Sequence, residues 1–191
     1  SSVERIAQEI AILERVRCDK VVELLAHGRL PNGMPYLALQ WIPGEDLAAR
    51  LLRQPLSPAE SLTVLHHTAL ALAELHSRDV VHLDIKPANI LLRDGAIDSV
   101  VLADLGIARV AKASDRPAAP LDSLLLGTVN FIAPERARGD GCITPSADIF
   151  SLGCVLFECL TGKPPFAAET PNGVLARLLF DDPPTPRAQN T

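Results

Sequence analysis

Two hydrophobic rhythms run along this chain, and the places where one gives way to the other mark its elements. Ile6, Ile10 and Leu13 recur at helical spacing and predict a helix over Val3 to Val16. Val21 to Leu30 and Met34 to Ile42 are apolar runs parted by Pro31-Asn32-Gly33, a turn signal, and predict an antiparallel hairpin that Pro43-Gly44 ends. Trp41, inside the second run, is expected to pack against the core. Ser57-Pro58-Ala59-Glu60 is a capping box with proline at the first helical position. Leu62, Leu65, Ala69, Leu72 and Leu75 carry that helix to about His76, with His66 and His67 on its polar side and given no chemical task. Val80-Val81, Ile90-Leu91-Leu92 and Val100-Val101-Leu102 read as short strands, with a hairpin around Arg93-Asp94-Gly95. Thr144-Pro145 opens another helix, apolar at Ile149, Leu152, Val155, Leu156, Cys159 and Leu160, which Gly162 stops. Gly173 to Phe180 predicts one more before a proline-rich tail.

Between the first two short strands lies a polar loop, His82 to Asn89, with Asp84, Lys86 and Asn89 inside six residues. Pro87 stiffens it and is expected to bar a helix there. Asp104-Leu105-Gly106 leaves the third strand directly. One carboxylate to orient a hydroxyl, a second to hold a metal, an amide oxygen as another metal ligand and a cation for phosphate oxygens make a set suited to phosphoryl transfer. Asp and Asn also favour turns on their own account, so the set, not any one member, carries the chemistry.

Composition narrows the classes. At 191 residues, 48% hydrophobic and 21% charged, the chain supports one sizeable core and is not of disordered type. A net charge of -5 offers no basic footprint for nucleic acid. Ile149 to Leu160, the longest apolar stretch, is too short and too polar to span a bilayer, and the charged segment Ser1 to Ile12 does not read as a signal peptide. Cys18, Cys142, Cys154 and Cys159 form no Cys-x-x-Cys pair and are expected to be reduced thiols, not zinc ligands. Ala111 to Leu121, rich in Ala, Pro, Ser and charge, reads as a functional or mobile insert.

The loop resembles the catalytic loop of protein kinases (His-Arg-Asp-x-Lys-Pro-x-Asn), and Asp104-Leu105-Gly106 resembles their metal-binding Asp-Phe-Gly. Gly127-Thr128, Ala133-Pro134-Glu135 and Asp148-Ile149-Phe150-Ser151-Leu152-Gly153 match three more landmarks of that family, in family order, within Glu9 to Phe166. Lys86 resembles the serine/threonine branch, and Leu105 the bacterial one. The resemblance implies an α+β, protein-kinase-like fold. Residues 1–42 would form part of a small lobe, a helix plus a hairpin, and residues 43–191 the hinge and a mainly helical large lobe. It implies ATP and Mg²⁺ as cofactors and a protein as substrate, in the cytoplasm or in the cytosolic domain of a larger membrane-anchored kinase. Asp84 would orient the hydroxyl, Lys86 neutralise the transferring phosphoryl group and Thr128 bridge the two, while Asn89 and Asp104 bind Mg²⁺. Glu9 would pair with a Lys of a preceding strand, and Leu39 would be the gatekeeper. Gln40 and Ile42 would bond the adenine through their backbones, Asp46 would face the ribose, and Leu91 completes the nucleotide-binding set. Asp148 would hold the backbone of the catalytic loop.

Several features depart from the family pattern. No Gly-x-Gly-x-x-Gly and no Val-Ala-x-Lys occurs in the chain, and the large-lobe helices that close the family's domain are not in it. The 191 residues are therefore expected to be a piece, weakly active or inactive alone. Leu83 stands where the family's loop has Arg, so phosphorylation at Ser114 or Ser123 of the activation segment is not expected to switch the site through the usual contact. Ala88 gives no support to a preference for basic substrates. Two other readings compete: a kinase-like scaffold without chemistry, and a small-molecule phosphotransferase of the aminoglycoside kind. Competent residues at every checkable large-lobe position favour the enzyme over the scaffold. Lys86, Ala133-Pro134-Glu135 and Asp148 favour a protein substrate over a small molecule.

Overall fold

A computed structural model describes residues 2–105, 108–110, 129–139 and 144–186. The first helix, α1 (Ser2–Arg15), buries Ile12 and Leu13 against a hairpin of β1 (Leu24–Arg29) and β2 (Pro35–Leu39), paired antiparallel from Leu24 opposite Leu39 to Arg29 opposite Pro35. The segment before β1 anchors this unit to the rest. Val21 bridges Leu102 in parallel, Val22 N–H donates to the Leu102 carbonyl, and Leu102 N–H donates to the Lys20 carbonyl.

Three strands form the middle layer. β3 (Gly44–Asp46) pairs with β5 (Ile90–Arg93), which pairs with β6 (Val100–Leu102), all antiparallel. Gly44 is required where it stands: its φ is +126, and a Cβ there would lie 2.1 Å from the Leu92 carbonyl oxygen. Asp46 then caps α2 (Leu47–Arg53), its Oδ1 accepting from Ala49 N–H at 2.8 Å. The capping box at Ser57 and Glu60 opens α3 (Pro58–His76) with both of its hydrogen bonds formed.

β4 (Val80–Val81) pairs with β7 (Arg109–Val110). Past the loop lie α4 (Pro134–Arg138), α5 (Ser146–Thr161) and α6 (Pro171–Phe180), α5 closing on Gly162 at φ 78. Helix α5 is the core helix, packed on α3 and burying Ala147, Asp148, Ser151, Leu152, Cys154, Val155, Phe157 and Cys159. Each fully buried Leu, Ile or Val contributes on the order of 1.5–3 kcal/mol, and one continuous cluster runs from Ile12 through Leu72, Leu75, Ile90 and Leu102 to Val155 and Leu178.

The structure corrects two expectations. Trp41 does not pack: β2 ends at Leu39, and the indole is 85% exposed. Pro87 does not keep the loop free of helix either. Pro87–Asn89 is a single 3-10 turn with proline first, the place where its missing N–H and fixed φ do no harm. His66 is exposed and His67 half-buried, their rings 5.3 Å apart edge to face. Among the described residues no helix is long and apolar enough to cross a membrane.

Candidate active site

The polar loop hangs from Asp148. This residue sits in the first turn of α5 and is wholly buried, so its carboxylate is available only to what the fold brings to it. Oδ2 accepts from His82 N–H at 2.9 Å and Oδ1 from Leu83 N–H at 2.8 Å. His76 Nε2, at the end of α3, lies 2.8 Å from Oδ2. Leu83 adopts φ 67, a left-handed conformation costing a residue with a β-carbon about 1–3 kcal/mol. Its buried side chain packs with Val81, Ala133 and Ala147, which helps to hold that strain. Its carbonyl accepts from Arg136 Nη1 of α4.

His82 joins the two motif loops. Asp84 N–H donates to its Nδ1 at 3.3 Å, and Nε2 lies 3.1 Å from the Ala103 carbonyl. An Nδ1 that accepts leaves the proton on Nε2, so the geometry selects the neutral ring with Nε2–H donating to Ala103. Ala103 N–H in turn donates to the Asn89 carbonyl at 3.0 Å. The residue just before Asp104 is thereby bonded to both ends of the polar loop.

The candidate side chains are placed by this frame. Asp84 Oδ2 accepts from Lys86 Nζ at 2.8 Å and from Asn89 Nδ2 at 2.9 Å, and Asn89 Nδ2 also reaches the Asp84 carbonyl at 2.8 Å. The Asp84 side chain is 10% exposed and that of Lys86 20%, so the pair is little screened by solvent. Both bonds that side chains of the described residues donate to this carboxylate go to Oδ2. Asp104 is exposed, at φ 62. Asn89 and Asp104 bring an amide oxygen and a carboxylate, hard donors of the kind Mg²⁺ prefers; that ion takes one or two protein ligands and completes its shell with phosphate oxygens and water. Among the described residues no group of three or more His, Cys, Asp or Glu could hold a metal by itself. One amide oxygen and one carboxylate are a donor set that fits an ion sharing its shell with a phosphate ligand.

The residues expected on the nucleotide side fall mostly between the end of β2 and β5. Leu39 ends β2 and is 36% exposed. Gln40 N–H is committed to the Glu23 carbonyl at 2.8 Å. Ile42 is buried, and Asp46 stands opposite Leu91 in the β3–β5 register, with one of its oxygens engaged in capping α2. Glu9 is half-buried on α1, whose neighbouring Gln8 Nε2 donates to the Ala108 carbonyl at 2.7 Å and ties the helix to the segment after Asp104. Thr128 lies outside the described residues, as do Gly106, Gly127, Ser114, Ser123 and Cys142. A cavity of about 790 Å³ opens elsewhere, between α1 and β1, lined by Glu14, Cys18, His27 and Gln40 among others; of the candidate residues only Gln40 reaches it.

His76 and Arg136 were not legible as parts of this frame. Each contact spans more than 50 residues, His76 to Asp148 across 72 and Arg136 to Leu83 across 53, and no local spacing announces it.

Comparison with known proteins agrees with the geometry. Over 184 residues the chain is 39% identical to serine/threonine-protein kinase PknD of Mycobacterium tuberculosis, covering 95% of this chain and 26% of that one. It is 34% identical over 158 residues to serine/threonine-protein kinase PknB of Mycobacterium tuberculosis, and 33% over 154 residues to PknB of Mycobacterium leprae. These cover 82% and 80% of this chain and 25% and 24% of the relatives. The chain thus spans about a quarter of the length of the curated relatives it matches. A family model described as the protein kinase domain matches residues 1–181, which include the Asp84 loop, the Asp104 turn and the Asp148 helix, and the chain belongs to that family.

Proposed function

We propose that this chain is the catalytic part of a serine/threonine protein kinase, transferring the γ-phosphoryl group of ATP to Ser or Thr hydroxyls of protein substrates. The observation that carries the reading is the Asp84 carboxylate: one oxygen is gripped by Lys86 and Asn89, and the loop that bears it is bonded through His82 to the strand end that bears Asp104. Relatives named as serine/threonine-protein kinases support the choice of acceptor.

Positioning and charge neutralisation do most of the work in such a transfer, because the transition state is loose. Asp84 Oδ1 orients the acceptor hydroxyl and takes its proton as the new oxygen–phosphorus bond forms. Lys86, held 2.8 Å from Asp84 Oδ2, stands ready to neutralise charge on the moving phosphoryl group. The Asn89 amide oxygen and the Asp104 carboxylate hold Mg²⁺, which when bound offsets negative charge on the phosphate oxygens. On the resemblance, Thr128 bridges Asp84 and Lys86. The Gln40 carbonyl and the Ile42 backbone bond the base, Leu39 and Leu91 border it, and Asp46 turns the oxygen not used for capping toward the ribose. Glu9 pairs with a lysine of a preceding strand. In this reading residues 1–42 belong to the small lobe and residues 43–191 to the hinge and large lobe. The partners are ATP and a protein, nucleic acid is not one, and the place of action is the cytoplasm, as a separate protein or as the cytosolic domain of a larger membrane-anchored kinase.

The test is phosphate transfer from γ-labelled ATP by the full-length gene product. Label is expected on Ser or Thr of a protein substrate, with Asp84→Asn and Asp104→Asn each lowering the rate by about 10²–10⁴-fold. Label on an aminoglycoside and not on protein would replace the reading with a small-molecule phosphotransferase. Bound ATP without any transfer would make the protein a scaffold.

A further inference from the structure

The peptide plane joining Leu83 to Asp84 is held at both ends, and unequally. Its N–H, from Asp84, reaches His82 Nδ1 at 3.3 Å, a long bond. Its carbonyl, from Leu83, accepts from the guanidinium of Arg136, a charged donor. The preceding plane is fixed separately, because Leu83 N–H donates to Asp148. A plane held at both ends fixes the N–Cα bond from which the Asp84 side chain departs, whereas a loosened plane gives that side chain a moving base. Arg136 is therefore the stronger of the two holds on the orientation of the Asp84 carboxylate. It is well placed to be one: Ala133, at the start of α4, is 1% exposed and packs with the Leu83 side chain in the small second core, so the arginine and its target rest on the same cluster. Position 83 is a leucine and supplies no cation of its own. A guanidinium stays charged throughout the accessible pH range, so the hold needs neither phosphate nor titration.

We propose that Arg136 is a positioning residue for phosphoryl transfer, acting through the Leu83 carbonyl to aim the Asp84 carboxylate. The role rests on the phosphotransferase reading of the same site, and the test separates the two. In the full-length protein, Arg136→Gln lowers kcat about 10- to 100-fold, as expected when one charged hydrogen bond that orients a reacting group is lost. KM for ATP stays within about twofold, since the nucleotide is held elsewhere. Arg136→Lys restores a large part of kcat, because one ammonium donor reaches one carbonyl. In an Asp84→Asn background, Arg136→Gln changes the residual rate less than about twofold, for there is no carboxylate left to aim. Should the glutamine variant fail to fold, Arg136→Met keeps the apolar stem and is read in its place.

Amide hydrogen exchange supplies an arm that needs no turnover. The amides of residues 82–84 exchange about tenfold faster in Arg136→Gln, while those in the middle of α5 do not change. An unchanged kcat, an equal loss in the Asp84→Asn background, a change in KM alone, or unaltered exchange at 82–84 overturns the role of Arg136. A wild-type protein that transfers no phosphate overturns the functional reading instead, and the exchange result still decides whether Arg136 holds the loop.

Discussion

Removing the Asp148 carboxylate tests the frame of the site directly. In Asp148→Ala the N–H groups of His82 and Leu83 lose their acceptor in a wholly buried place. A buried donor left without a partner costs about 1–3 kcal/mol, so the two together cost about 2–6 kcal/mol. His76, whose side chain is 17% exposed, recovers part of its loss from water. Freed of its anchor, Leu83 can leave φ 67 and return part of the strain of about 1–3 kcal/mol. The net expectation for Asp148→Ala is about 2–4 kcal/mol, a large fraction of the about 5–15 kcal/mol that stabilises a typical protein. Asp148→Asn keeps one acceptor oxygen but turns an NH₂ toward the other peptide N–H, and about 2–3 kcal/mol is expected. Urea unfolding followed by far-ultraviolet circular dichroism measures both, with coincidence of a second probe checking two-state behaviour. Trp41 would serve poorly as a fluorescent probe, being 85% exposed in the folded state already. An alanine variant within about 1 kcal/mol of the parent would refute the idea that Asp148 carries the loop.

Three further outcomes follow from other parts of the fold. Burial raises the pKa of Glu158 above its ordinary 4.5, and its Oε2 accepts no hydrogen bond from the described residues. The folded state therefore keeps a proton that the unfolded chain has lost, so this residue makes stability fall as pH rises from 4.5 through the folded pKa. Glu158→Gln should flatten that decline and be the more stable protein at neutral pH; parallel pH profiles of the two would contradict it. Gly44→Ala forces a Cβ to within 2.1 Å of the Leu92 oxygen at φ +126 and should cost about 2–5 kcal/mol by parting β3 from β5, so an unchanged melting temperature would count against that register. Burial pushes the thiols of Cys154 and Cys159 up to about 12, and iodoacetamide followed by peptide mass spectrometry should label half-buried Cys18 well before either of them. Equal labelling of the three in the native protein would mean that α5 is not the core helix.

The readable elements were those whose signals are local. The capping box at Ser57 and Glu60, the turn at Pro31-Asn32-Gly33 and the stop at Gly162 each act within a few residues, and the helices and hairpin they bound fall within a few residues of where those signals place them. The strands β3 and β7 were not legible, because three and two residues carry no periodicity and exist only through pairing with β5 and β4. Trp41 misleads for a related reason: an aromatic residue in an apolar run implies burial only if the run continues as a strand, and this one ends at Leu39. At the site, the spacing of Asp84, Lys86 and Asn89 was enough to expect one cluster, since residues two and five apart on a short loop can hardly avoid meeting.

By itself the amino-acid order determined the kinds of groups available, their sequence on the loop and the family to which they belong. It did so because motif residues two to five apart carry their chemistry wherever the chain places them. Only the tertiary structure decided how those groups are held. A buried carboxylate from α5 gathers the peptides of His82 and Leu83, an imidazole ties Asp84 to the residue before Asp104, and an arginine from α4 grips the carbonyl of Leu83. Such contacts join residues 21 to 66 positions apart. Their worth comes from burial, which leaves each polar group no partner but the one the fold supplies, and burial belongs to the assembled chain, not to any stretch of it.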